Sequence, residues 1–239
     1  MVIKHIFKLF RQRIIDPDRT VVRVLKTIGI ISIRERMINP NKSALDRYLE
    51  NSGFMSNLEG NSNQLPQQVE LLYRLVKSNK VTSVLEIGFN AGHGSNLILS
   101  TKKSVHVTSF DIGEHLYIST AKRFIDETYR GRHTLIYGDS CLTVPQYSKT
   151  YQDRKFDLIF IDGGHDYQTA LNDLVNCKAL SHTNTIVVLD DTVSRSDWVM
   201  HWNEGPNRAW TYLLERGEIV GLGTKDCSRG RGFSWGRYN

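Results

Sequence analysis

From Val81 onward the chain alternates short apolar runs with segments long enough for a helix. Few folds satisfy that pattern. Val84-Leu85 with Ile87, Val105 to Phe110, Thr134 to Tyr137, Phe156 to Ile161 and Ile186 to Leu189 read as five buried strands. Helices are expected over Gly94 to about Leu99, Thr120 to Tyr129, Gln168 to Leu180 and Asn207 to Arg216. Runs such as Leu158-Ile159-Phe160-Ile161 lack polar alternation, as strands covered on both faces do. The pattern predicts an α/β fold, a doubly wound parallel sheet with helices on both faces. Ile219 to Gly223 and Gly232 to Trp235 would bring it to about seven strands. A chain of 239 residues, 40% hydrophobic, can bury such a core.

Residues 1–60 differ from this body and read as an N-terminal helical extension and loop, ahead of a domain over 61–239. Ile3, Ile6, Phe7, Phe10 and Ile14 fall at helical spacing with Lys4, Lys8 and Arg11 between them. Such a helix packs on its own domain, on a second copy of the chain or on a membrane surface. The first two uses are favoured, and a homodimer through the N-terminal helices is expected. Asp16-Pro17-Asp18 breaks this helix, a second is expected over Thr20 to Ile28, and Ser43 is placed to cap a third through Leu49.

The net charge of +6 raises nucleic acid as a partner, but part of the excess lies in the first 36 residues, and a solvated basic surface is the simpler account. Cys141, Cys177 and Cys227 are few and widely separated, with neither a disulfide framework nor zinc spacing. Basic residues interrupt the N-terminal apolar run, and no run approaches the ~20 residues a transmembrane helix needs. A soluble cytoplasmic protein is expected.

In a doubly wound sheet ligands sit at the carboxyl ends of the strands. The first strand ends in Glu86-Ile87-Gly88-Phe89-Asn90-Ala91-Gly92-His93-Gly94. Its glycines let backbone turn tightly and approach a ligand. The spacing is not the G-x-G-x-x-G of dinucleotide enzymes, and Glu86 before the first glycine disfavours phosphate while suiting an ammonium and a sulfonium. A nicotinamide oxidoreductase is therefore disfavoured. Asp111-Ile112 ends the second strand roughly 20 residues on, where an acid commonly accepts ribose hydroxyls. Asp139-Ser140 ends the third, on the adenine side. Any one of these acids can be a plain helix cap, but three on consecutive strand ends make that account weaker.

Val84 to His93 resembles the first motif of class I methyltransferases, a Rossmann-like family, and Asp111 and Asp139 resemble its second and third acidic positions. The resemblance spans about Gln68 to Trp210 and implies S-adenosylmethionine, held by Glu86, Gly88, Phe89, Asn90, Gly92, Gly94, Asp111, Ile112, Asp139 and Ser140.

Strand four runs into Asp162-Gly163-Gly164-His165-Asp166, and strand five into Asp190-Asp191. If the two strands are neighbours, Asp162, Asp190 and Asp191 converge. Three carboxylates at one point repel unless a cation sits among them, and Mg²⁺ prefers oxygen ligands. This part is similar to the metal-dependent O-methyltransferases of small molecules, including those acting on macrolide sugars. That similarity implies Asp162, Asp190 and Asp191 as ligands and His165 as base; Asp166 is a rival base. Gly205 to Trp210 resembles the helix that follows the acidic pair in that group. Trp198, Trp202 and Trp210 are placed to wall a sugar or to fill the core, and His93 to shape the cofactor loop.

The expected function is divalent-metal-assisted O-methylation of a small polyhydroxylated acceptor, a sugar or glycoconjugate. RNA methylation is the second reading, although no Asn/Asp-Pro-Pro-aromatic element for base amines is present. A non-catalytic binding module of the same fold is the third.

Overall fold

The computed structural model describes residues 43–54, 58, 65–78 and 80–239. The helices expected over Ile3–Ile14 and Thr20–Ile28, and most of the loop over Met55–Gln64, lie outside the described residues. Lys42–Asn239 forms one compact unit. Along it run α1 (Ala44–Asn51), α2 (Pro66–Ser78), β1 (Ser83–Ile87), α3 (His93–Thr101), β2 (His106–Asp111), α4 (Tyr117–Thr128) and β3 (His133–Tyr137). Then come α5 (Ser140–Thr150), β4 (Phe156–Ile161), α6 (Tyr167–Lys178), β5 (Ser181–Asp190), a 3₁₀ turn (Ser196–Trp198), α7 (Glu204–Glu215), β6 (Ile219–Ser228) and β7 (Arg231–Tyr238).

The sheet order is β3-β2-β1-β4-β5-β7-β6. Its first five strands are parallel, and the last two are an antiparallel hairpin laid against β5. The order reverses between β1 and β4, so a crevice opens beyond their carboxyl ends. Successive strand side chains point to opposite faces. One set, Leu85, Ile87, Phe110, Ile159, Ile161, Val187 and Leu189, packs under α5, α6 and α7 with Val144, Ala170, Leu174, Trp210 and Leu213. The alternate set, Val84, Leu158, Phe160 and Val188, is equally buried on the other face. Both faces being covered explains why these strands read as unbroken apolar runs.

Two local structures depart from the sequence expectations. Helix α5 was not anticipated, because its segment carries Pro145 and a run of polar residues. It forms because the Asp139 side chain accepts from Cys141 N at its start and Val144 is buried. Tyr147 also packs edge-on to Phe110 at 5.5 Å. That packing offsets the hydrogen bond a mid-helix proline removes. The sheet is mixed rather than parallel throughout, because Ser228–Arg231 allows only a tight reversal and so folds β7 back onto β6. Ser43 does cap α1, in a reciprocal box with Asp46.

Candidate active site

β1 delivers the chain into a turn that the strand order forces to be tight. Gly88 has φ +89°, and a Cβ there would lie 1.8 Å from the carbonyl oxygen of Asp162. The turn is thus pressed against the end of β4, where Asp162 N donates to Ile87 O at 2.9 Å. Gly92, at φ +79°, opens α3 without any side-chain cap on the first-turn amides of that helix. Asn90 takes a left-handed φ of 47°; its N–H donates to Asp111 Oδ2 at 2.7 Å, and its Oδ1 accepts from Tyr117 at 2.7 Å. Asp111 Oδ1 accepts from Gly113 N at 2.8 Å. Asp111 therefore orders the glycine turn and its own turn, with lone pairs left over.

The expected cofactor residues fall into two groups. Gly88, Asn90, Gly94, Asp111 and Ser140 are partly exposed at or just past the carboxyl ends of β1, β2 and β3, Gly92 is buried at the start of α3, and Ile112 is exposed with Tyr137 and Leu142. Exposed apolar side chains at one sheet end suit a flat ring. Asp139 is at the same edge, and one of its oxygens is spent capping α5. Glu86 and Phe89 point inward. Glu86 is fully buried; Ser95 and Ser109 donate to its Oε2 at 2.5 and 2.6 Å. Burial holds its carboxyl up at about 8, against the pull of those two hydroxyls. Phe89 stacks on His133 at 5.0 Å. His133 Nε2 lies 2.9 Å from Ser109 Oγ and 3.2 Å from Ser95 Oγ. Since both hydroxyls give their protons to Glu86, the ring donates to them. His93 leaves the pocket for Asp46 of α1, Nε2 to Oδ1 at 2.7 Å.

The second half of the site stands on β4 and β5, which are neighbours. Asp162, His165 and Asp191 each present a ligand atom within 4.8 Å of the others. His165 Nε2 lies 3.1 Å from Asp191 Oδ2. Asp191 sits at φ +56°, an uncommon conformation for a residue with a side chain, which turns its carboxylate toward His165. Asn207 on α7 holds that turn, donating to Asp191 O at 3.2 Å and accepting from Val193 N at 3.0 Å. Asp190 is not in the three-residue set. It is buried, and its Oδ1 accepts from Gln68 Nε2 at 2.8 Å and from Asp191 N at 2.7 Å. Burial, then Asp162 and Asp191, push the Asp190 carboxyl well up. Burial and Asp191 raise Asp162 to about 7. His165 is raised by its bond to Asp191 against the opposing effect of burial.

Asp166 is the N-cap of α6, accepting from Thr169 N at 2.9 Å, which makes it a structural acid rather than a base. Of the tryptophans, Trp210 is core; Trp202 stands 5.7 Å, ring to ring, from His165; Trp198 lies under Arg195. Sequence reading missed Gln68, whose neighbours in the chain carry no motif, so nothing local singled it out; Asn207 was seen only within the Gly205–Trp210 resemblance.

Residues 85–192 match a family model described as "Methyltransferase domain". No curated protein matches the chain. Among solved structures, an O-methyltransferase from Bacillus cereus in complex with S-adenosylhomocysteine is 20% identical, with TM-score 0.68, over 91% of this chain and 97% of that one. The O-methyltransferase TomG of tomaymycin synthesis, from Streptomyces achromogenes and bound to S-adenosylmethionine, is 17% identical at TM-score 0.64, over 95% and 100%. A TDP-rhamnose 3'-O-methyltransferase of calicheamicin biosynthesis is 16% identical at TM-score 0.55, over 96% and 98%. At these identities the likeness is one of fold. Residues 85–192 are thus similar to a methyltransferase domain, and the chain shares the α/β fold of these O-methyltransferases.

Proposed function

We propose that the chain is an S-adenosylmethionine-dependent O-methyltransferase, assisted by a divalent cation, acting on a hydroxyl of a small polyhydroxylated acceptor such as a sugar or glycoconjugate. Residues 61–239 are the catalytic domain in this reading, and 1–60 an N-terminal extension whose end, α1, docks on α4 through Tyr48 and Phe124. The observation that carries the proposal is the seam between Gly88 and Asp162. It joins a glycine turn suited to a nucleoside to a cluster of carboxylates across one crevice.

The glycine turn and the uncapped start of α3 would hold the methionine end of the cofactor. Asp111 would accept from the ribose, and Ile112, with Asp139 and Ser140, would meet the adenine. The donor set fits a hard cation, because carboxyls this close are held in part protonated by burial and mutual repulsion, which a divalent charge relieves. Asp162 and Asp191 would hold it, with Asp190 beside them, its Oδ1 fixed by Gln68 and Asp191 N. Such a cation lowers the pKa of a bound hydroxyl. The acceptor's proton goes to His165. A carboxylate can only accept, so Nε2–H of the neutral ring points to Asp191 and Nδ1 is the basic nitrogen, oriented as in other carboxylate–histidine pairs. At 46% side-chain exposure the ring is open to a substrate. Trp202 beside it gives a sugar an apolar face.

The test is radiolabelled methyl transfer from S-adenosylmethionine to a panel of sugars and glycosides. Activity abolished by chelator and restored by Mg²⁺ supports the proposal. Cofactor binding without transfer to any hydroxyl, or transfer indifferent to chelator, rejects it.

A further inference from the structure

Behind the glycine turn lies a buried polar chain remote from His165 and the aspartates. His133, the first residue of β3, has a side chain with no exposure. Its ring stacks on Phe89 at 5.0 Å, and Phe89 supports the turn, its Cζ 3.0 Å from where a Cβ of Gly92 would lie. His133 Nε2 reaches Ser109 Oγ of β2 at 2.9 Å and Ser95 Oγ of α3 at 3.2 Å. The two hydroxyls are 3.1 Å apart, and both lie closer still to Glu86 Oε2, at 2.5 and 2.6 Å. Each hydroxyl has one proton to give. An Nε2–H on the ring closes that nitrogen to them and fills a lone pair on each oxygen, so both protons go to Glu86. Nδ1 is buried without a partner, 3.9 Å from Asp126 Oδ1, and Lys122 holds that carboxylate at 2.6 Å. The ring is therefore neutral, with its single proton on Nε2.

The other carboxyl oxygen is treated differently. Glu86 is fully buried, yet its Oε1 has no partner among the described residues. Internal stability is the simplest use for such a cluster, but a cluster serving stability alone would not leave a buried carboxyl oxygen unpaired, since that is costly. Oε1 is aimed at Gly94, the second residue of α3, where a Cβ would lie 2.3 Å from it. Gly94 is partly exposed, and the first turn of α3 carries no side-chain cap. An unpartnered carboxyl oxygen thus stands beneath an open helix start. The complement of a buried carboxylate is a cationic donor, and the ammonium of an amino acid is one.

We infer that His133 is a positioning residue for the amino-acid end of the cofactor: through Ser95 and Ser109 it engages Glu86 Oε2 and leaves Oε1 to accept the ammonium. It acts only through Glu86. This rests on the S-adenosylmethionine reading above and extends it to a residue outside the glycine motif.

The experiment is calorimetric titration of the full chain with S-adenosylhomocysteine and with 5′-methylthioadenosine, which keeps the thioadenosine and lacks the amino acid. The wild type should prefer S-adenosylhomocysteine. His133→Phe keeps the stacking on Phe89 and loses the N–H. It should bind S-adenosylhomocysteine about tenfold more weakly, as expected for a hydrogen bond to a charged group, and 5′-methylthioadenosine within about twofold of the wild type. His133→Gln, whose side-chain amide offers a donor near the place of Nε2, should recover part of the loss. Ser109→Ala breaks the same relay while keeping the ring, and it should give the same pattern even if His133→Phe does not fold. Equal weakening of both ligands would make His133 a packing residue, and an unchanged preference would disconnect it from Glu86. Either result, or a wild type without preference, overturns the inference while leaving the methyltransferase reading standing. Failure of the wild type to bind S-adenosylhomocysteine is a different result, and it removes the reading beneath.

Discussion

At the scale of single residues, Gly88 and His165 make separable demands. Alanine at 88 would need both a left-handed backbone and space that the Asp162 carbonyl already fills. Positive-φ strain alone costs about 1–3 kcal/mol, so Gly88→Ala should lose at least that in urea denaturation and also weaken S-adenosylhomocysteine binding. A variant with wild-type stability would mean that β1 and β4 do not meet as described. His165→Gln, by contrast, should bind cofactor normally and lose kcat by about 10²–10⁴-fold, the usual worth of a general base. Loss of cofactor affinity with kcat retained would remove His165 from its role. Asp190 is buried beside Asp162, and its Oδ1 accepts from Gln68 and Asp191 N.

At the scale of elements, the polar contacts between α3, β1, β2 and β3 set a pH response. Burial, reinforced by the Lys122 charge, holds His133 down at about 4 from an ordinary 6.5. A histidine depressed in the fold stabilises fully above its unfolded value and loses that contribution as pH falls from 6.5 through 4. Glu86 runs the other way. Raised to about 8, it stabilises below its unfolded value of 4.5 and loses that contribution as pH rises through 8. Stability measured by chemical denaturation should therefore decline on both flanks of the range between. Glu86→Gln, which keeps the shape and removes the titration, should flatten the alkaline flank; an unchanged flank would show that Glu86 is not the group responsible. Helix α1 is joined to the glycine turn through Asp46, which completes its own cap and meets His93 at the first position of α3. Asp46→Ala should cost about 1 kcal/mol through the lost cap contact alone. It should also loosen S-adenosylhomocysteine binding, read by calorimetry, because His93 opens the helix that faces the ligand. Unchanged stability and affinity would leave α1 with no part in the site.

At the scale of the whole molecule, the site lies between two halves of one sheet, so a ligand that bridges them binds only the folded chain. S-adenosylhomocysteine at about 100 times its Kd should raise stability by about 2.7 kcal/mol, with the melting temperature climbing as ligand is added. Mg²⁺ should add to that shift, since Asp162, Asp190 and Asp191 are held close only in the folded chain, where a bound cation relieves their repulsion. A melting curve insensitive to S-adenosylhomocysteine would remove the nucleoside from the crevice. Among the described residues no helix is long and apolar enough to cross a membrane.

Much of this was legible in the chain alone, for a physical reason. Strand periodicity, the Gly88–Gly94 turn and the acids at strand ends are written within about ten consecutive residues, and backbone sterics and burial act on that length. The α/β class and the position of the glycine turn follow from such short signals; the meeting of β4 and β5 was only a condition in the sequence, and the sheet order supplies it. Helix α5 did not, because its local propensity is poor and packing of Val144 and Tyr147 decides it. The division of labour among the acids also needed the tertiary structure. Asp139 and Asp166 became caps, Asp190 turned to Gln68 across 122 positions of chain, and Asp191 was aimed at His165 by a left-handed φ under Asn207. No stretch of sequence carries that information, because it depends on which strand ends the register and crossovers bring side by side.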